Sequence, residues 1–147
     1  MITPLTQCIM NKRTVLVVND DESHCLLLVK MLSEGAYETT YALTGADGLH
    51  MARSLSPDVV LLDLRMPDIG GRTVCAEIRK DPNLDHTAVV FHTAFPFERP
   101  ECSGDPFGTA DAFLIYPIET KELLFVLLGC IARRRSDVLN PSQPLSA

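Results

Sequence analysis

Val59-Val60-Leu61-Leu62-Asp63-Leu64-Arg65-Met66-Pro67-Asp68-Ile69-Gly70-Gly71 decides the fold, because an unbroken apolar run ends in one carboxylate and passes at once into a Pro/Gly turn. Strands covered on both faces read as continuous hydrophobic runs, and open parallel sheets hold their ligands outside the carboxyl ends of the strands. Asp63 stands at such an end. A second apolar run, Val15-Leu16-Val17-Val18, leads into Asn19-Asp20-Asp21-Glu22, so two strands can deliver acidic groups to one edge. Hard oxygen donors gathered in this way suit Mg2+.

Periodicity divides the rest of the chain into a βα unit repeated five times behind a leader, residues 1–12. Val15–Val18 is the first strand and Ser23–Glu34 the first helix, with Gly35 expected to close it. Tyr37–Ala42 reads as the second strand, and Thr44-Gly45-Ala46-Asp47 as a capping box opening a helix toward Ser54. After the Asp63 strand come a helix over Arg72–Lys80, stopped by Asp81-Pro82, and a strand over Ala88–Phe91. The fifth strand, Ala112–Tyr116, meets Pro117, and Glu119–Arg134 makes the last helix. Such alternation implies a parallel sheet with helices on both faces. Between Ala94 and Thr109 the prolines 96, 100 and 106, with Gly104 and Gly108, predict a loop or one short turn in place of a fourth helix, since each Pro costs about 3 kcal/mol inside one. The folded unit is expected over residues 13–134, followed by a disordered tail over 135–147.

Bulk properties exclude several classes. The chain has 147 residues and a net charge of -6, which argues against a general nucleic-acid or anionic-membrane binder. Five cysteines lack metal-ligand spacing and a signal-like N-terminus is missing, so a reducing cytoplasm is the expected setting. The longest apolar stretch, Leu123–Ala132, is about half a membrane span. Neither a G-x-x-x-x-G-K-[ST] loop nor a G-x-G-x-x-G turn occurs. The histidines 24, 50, 86 and 92 share no metal spacing and are read as surface or packed residues.

Val-Val-Asn19-Asp20, Leu-Asp63-x-x-Met66-Pro67-x-x-Gly70-Gly71, His92-Thr93-Ala94 and Ile115-Tyr116-Pro117 resemble, in order and spacing, the motifs of bacterial two-component response-regulator receiver domains, over about Arg13 to Ile131. The resemblance implies a flavodoxin-like doubly wound sheet of five parallel strands in order 2-1-3-4-5. It implies that Asp63 accepts a phosphoryl group from a histidine kinase or phosphotransfer protein. Asp20, Asp63 and the Arg65 backbone carbonyl would then bind Mg2+ directly, and Asn19 through water. It further implies that Thr93 contacts a phosphoryl oxygen, that Ala94 leaves room for the group, that Phe113 changes rotamer with Thr93, and that the bond before Pro117 is cis.

Two positions depart from that family. Asn19 replaces an acid, which removes one charge from the metal site. Tyr116 replaces a lysine. A charge pair about 4 Å apart is worth roughly 4 kcal/mol at an effective dielectric near 20, whereas a neutral hydrogen bond contributes about 0.5 to 1.5 kcal/mol. Tyr116 therefore does not replace the lost charge, and Arg65 is one candidate substitute cation. With the Pro-rich segment, these departures describe an atypical receiver with weakened or altered phosphorylation-dependent switching.

Three functions compete. The first is a stand-alone or adaptor receiver in a phosphorelay, not an enzyme in its own right, with a downstream protein as its output. The second is a degenerate receiver that acts as a phosphorylation-independent interaction module. The third is a small Mg2+-dependent phosphohydrolase, which typically needs a second acid two residues past the strand-end aspartate, where this chain has Arg65. Leu123-Leu124-Phe125-Val126-Leu127-Leu128 is too continuous for one buried face, so the last helix is expected either to pack deeply or to offer a homodimer or partner surface. Arg133-Arg134-Arg135 is expected at a helix C-terminus, which favours cations.

Overall fold

Val59–Leu62 forms the central strand, and all four of its residues are buried. The computed structural model describes residues 12–94 and 110–139. In chain order they form β1 (Thr14–Val18), α1 (Glu22–Ser33), β2 (Glu38–Ala42), α2 (Gly45–Leu55), β3 (Val59–Leu62), α3 (Gly71–Lys80), a 3-10 turn (Pro82–Leu84), β4 (Ala88–Thr93), β5 (Ala112–Ile115) and α4 (Thr120–Leu139). The five strands are parallel in the order β2-β1-β3-β4-β5, as the sequence implied.

Strand side chains alternate between faces, so each apolar run feeds two cores. Val15, Val17, Val59, Leu61 and Val90 pack with Cys25, Leu28 and Leu32 of α1 and with Leu123, Leu127 and Ile131 of α4. Leu16, Val18, Val60, Leu62 and Phe91 pack with Ala52 of α2 and with Val74 and Ile78 of α3. Burying each such Val, Leu or Ile side chain contributes about 1.5–3 kcal/mol, which holds the sheet as a rigid plate beneath the strand ends.

Three local expectations are corrected. Gly35 is not the left-handed closing residue of α1: Glu34 caps the helix, and Ala36 takes φ 59. Gly35 is small for another reason, because a Cβ there would lie 2.6 Å from Leu124 Cδ2. The last helix does not stop at Arg134 but runs to Leu139, so residues 135–139, expected in the tail, are helical. Long-range ion pairs hold it there: Arg134 Nε donates to Asp111 Oδ1 at 2.7 Å, and Arg135 Nη2 to Asp58 Oδ1 at 3.1 Å. The arginine cluster therefore binds the bases of β5 and β3 rather than serving as a helix end. Asp111, 7% exposed, also takes Arg79 Nη2 at 2.9 Å. The leader up to residue 11, the loop expected between Ala94 and Thr109, and the tail over 140–147 fall outside the described residues, save Ala94 itself, which forms a bend. Among the described residues, no helix is long and apolar enough to cross a membrane.

Candidate functional site

Each strand leaves β geometry at the same edge of the sheet, and the residues just beyond the strand ends meet. Asn19 follows β1, and its N–H continues the ladder by donating to Ala42 O at 3.1 Å. Its side chain is buried, and Oδ1 accepts the Asp21 N–H at 2.9 Å. Asp21 in turn caps α1, accepting the His24 N–H at 3.3 Å. The helix-cap reading thus holds for Asp21, while Asp20, exposed, opens onto the mouth. Asp63 follows β3 with its N–H on Val18 O at 3.0 Å, which fixes its backbone between β1 and β3.

The loop beyond Asp63 is closed by backbone. Gly71 N donates to Leu64 O at 3.0 Å, and a Cβ on Gly71 would overlap the Asp63 carbonyl oxygen. Only glycine permits that approach. Asp68 then crosses to the N-terminus of α2, where its carboxylate accepts the Ala46 N–H at 2.9 Å and the Gly45 N–H at 3.0 Å. Those amide bonds, Ala46 foremost, hold the Asp68 carboxyl down to about 2. Sequence reasoning missed Asp68. The only available signal was the capping box at Thr44, which marks amides in need of acceptors without saying which distant carboxylate reaches them.

On the other side lie residues from β4, β5 and α1. A cavity of about 320 Å3 is lined by Asn19, Asp20, Asp21 and Asp63, and by His24, His92, Ala94 and Tyr116. Tyr116 thus faces the mouth with Asp63. It follows β5, its N–H donates to Thr93 O at 2.7 Å, and the Tyr116–Pro117 bond is cis. Its ring meets His24 edge-on at 4.5 Å and His92 at 5.5 Å between centroids. His24 Nε2 and His92 Nδ1 lie 3.3 Å apart, one sharing a proton with the other. Burial holds the His92 imidazole down at about 4, with the nearby His24 charge adding to the effect. His24 is also lowered by burial, partly offset by Asp21. His92 is thus the packed residue the sequence suggested, but the meeting of two histidines at the mouth was missed.

The remaining predicted residues are placed as follows. Thr93 ends β4 and is 2% exposed. Ala94 is exposed and lines the mouth. Phe113 is half-buried on β5, its ring 6.4 Å from that of Phe91. Arg65 is exposed, and among the described residues it is not one of those that line the mouth.

The family model of the response regulator receiver domain matches residues 15–102. The chain belongs to that family. This receiver is 38% identical over 119 residues to the response regulator PleD of Caulobacter vibrioides, a match that covers 81% of this chain and 26% of PleD. It is 28% identical over 112 residues to the polar-differentiation response regulator DivK of Brucella ovis, covering 76% of this chain and 90% of DivK. Its structure is similar to that of the response regulator protein TrrA of Thermotoga maritima, with a TM-score of 0.72, 29% identity, and coverage of 80% of this receiver and 98% of that chain. The receiver therefore spans about a quarter of PleD and most of DivK. It is a signalling domain of the two-component type.

Proposed function

We propose that this receiver accepts a phosphoryl group on Asp63 from the phosphohistidine of a histidine kinase or phosphotransfer protein, with Mg2+, and signals through contacts with a downstream protein. The observation that carries this reading is the convergence of Asp20 and Asp63 on one cavity at the end of the central strands. The donor chemistry fits the metal. Mg2+ takes hard oxygens, one or two carboxylates at a time, and keeps several waters. Asp20, Asp63 and the Arg65 carbonyl would hold it, with Asn19 acting through water by the second lone pair of the amide oxygen that already accepts from Asp21. When bound, Mg2+ neutralises the oxygens of the incoming phosphoryl group. The TrrA structure, described as a complex with Mg2+ and BeF, supports the same chemistry here.

The chain's own residues divide the work. Asp63 is the nucleophile, and its backbone bond to Val18 keeps it at the strand end. Ala94 leaves the cavity open on the β4 side. Thr93 donates its hydroxyl to a phosphoryl oxygen once Asp63 is modified, and Phe113, half-buried, follows it by a change of rotamer. The surface that reports the change includes α4, where Phe125 and Leu128 are 79% and 46% exposed and form a surface for a partner or a second copy.

Neutral Tyr116 at the mouth favours a second reading, an interaction module whose binding ignores phosphorylation. Incubation of the full chain with Mg2+ and acetyl phosphate, followed by intact-mass measurement, separates the two. The phosphoacceptor reading expects one phosphoryl increment that is lost in Asp63→Asn. An unmodified wild-type chain selects the interaction module.

A further inference from the structure

A phosphoryl group on Asp63 would bring two negative charges into a cavity already lined by Asp20 and Asp21. A cation facing that group would offset its charge. Among the described residues that line the cavity there is no lysine or arginine, and the side chains with a basic nitrogen are His24 and His92. The two are not equivalent. His92 is 2% exposed on β4, and its Nε2 is buried without a partner. A charge there would lie within the core. His24 is half-buried at the start of α1, beside the Asp21 cap, and opens to the cavity.

We propose that His24 is the cation of this site: held by His92 and by the Tyr116 ring, it takes up a proton as Asp63 is phosphorylated and donates to a phosphoryl oxygen. The inference rests on the phosphoacceptor reading above. Protonation gives the histidine pair one consistent arrangement. Charged His24 carries hydrogen on both nitrogens, donates Nε2–H to His92 Nδ1 across 3.3 Å, and keeps Nδ1–H for the incoming oxygen. His92 remains neutral and acts as a positioning residue, and Tyr116 packs the imidazole edge-on. The charges around His24 are mostly negative. Asp20, Asp21 and Glu22 open its own helix, Asp63 comes from β3, and Tyr41 of β2 is engaged by Glu22 at 3.0 Å. Lys121 and Glu122 at the start of α4 are both exposed and offset each other. Burial lowers the His24 imidazole from its ordinary value while Asp21 opposes it, and a phosphoryl dianion would act in the same sense as Asp21.

The step balances. An Asp63 carboxylate oxygen forms the O–P bond, the bond from phosphorus to the acetyl oxygen of acetyl phosphate breaks, acetate leaves with the electron pair, and His24 takes one proton from solvent.

The test follows modification of the full chain by acetyl phosphate and Mg2+ at pH 6 and pH 8. In wild type the rate is expected to be about tenfold higher at pH 6. His24→Gln is expected to stay at the slow rate at both values, and His24→Lys, with a fixed charge, to be fast at both. In the same protein, the His24 ring-proton titration followed by NMR is expected to move up by about one unit or more on adding beryllofluoride and Mg2+. A His24→Gln chain that keeps the wild-type pH slope overturns the inference, as does a His24 titration unmoved by beryllofluoride in a chain that binds it. A wild-type chain that neither becomes modified at either pH nor binds beryllofluoride overturns the phosphoacceptor reading itself.

Discussion

The two halves of the mouth are built on opposite plans. On the β3 side, the loop from Asp63 to Gly71 is tied by backbone: Gly71 to Leu64, and Asp68 to the amides of Gly45 and Ala46. On the β4 and β5 side, three rings lean on one another, and one imidazole nitrogen is buried without a partner. The first half fixes positions with hydrogen bonds that pH hardly disturbs. The second contains two imidazoles whose charge depends on burial and on their neighbours. A nucleophile needs a fixed frame, whereas recognition of an incoming charge needs something that can change state.

Substitutions can break this contrast, and the largest effect is expected on the rigid side. Gly71→Val drives a branched side chain into the Asp63 carbonyl, so the loop must move. A loss of about 3 kcal/mol in urea unfolding, together with loss of acetyl phosphate reactivity, is the expected outcome. Retained stability would show that the loop is not held as described.

The soft side should reveal itself through pH. Unfolded His92 titrates near 6.5 and folded His92 at about 4, so between those values the unfolded chain binds more protons. Stability is therefore full above about pH 6.5, falls as pH drops through that window, and levels off below about 4. Between pH 7.5 and pH 5 the contribution is about 2 kcal/mol, to be read from urea midpoints against His92→Leu, which should lack it. Equal slopes in the two proteins would remove His92 as the source.

The smallest effect belongs to Asp68. Asp68→Asn weakens two amide bonds at an exposed helix start, so the melting temperature should drop slightly, while Mg2+ affinity, measured by titration, falls more visibly because the loop carrying the Arg65 carbonyl loosens. In wild type this tether is present above about pH 4 and is lost as pH falls through about 2. An unchanged Mg2+ affinity in Asp68→Asn would detach the tether from the site.

The same contrast separates what the sequence displays from what it hides. Val59–Leu62 announced a buried strand because a two-sided sheet needs an unbroken apolar run, and Asp63 stood out because a carboxylate interrupts it. The parallel sheet followed from the βα alternation, and its strand order from the resemblance carried by the family motifs. His24 and His92 lie 68 residues apart, and neither carries a periodic signal, since one sits on a helix and the other near the end of a strand. Asp68 reaches back 22 residues to Ala46, and nothing local reports that. The extension of α4 to Leu139 was hidden for a related reason: a polar segment is held helical by Asp58 and Asp111, which lie far from it in sequence. Local pattern shows what a residue buries, but not which distant partner it finds.

Those arginine ties have a mechanical consequence. Arg134 and Arg135 fasten the far end of α4 to the floor of the sheet, while its near end follows directly from Pro117 and the ring cluster. Between those ends Leu123 and Leu127, both fully buried, seat the same helix in the apolar core. The helix is thus fastened by two unlike means, apolar contact along its inner stripe and charge at its foot, so salt should loosen the foot and leave the stripe in place.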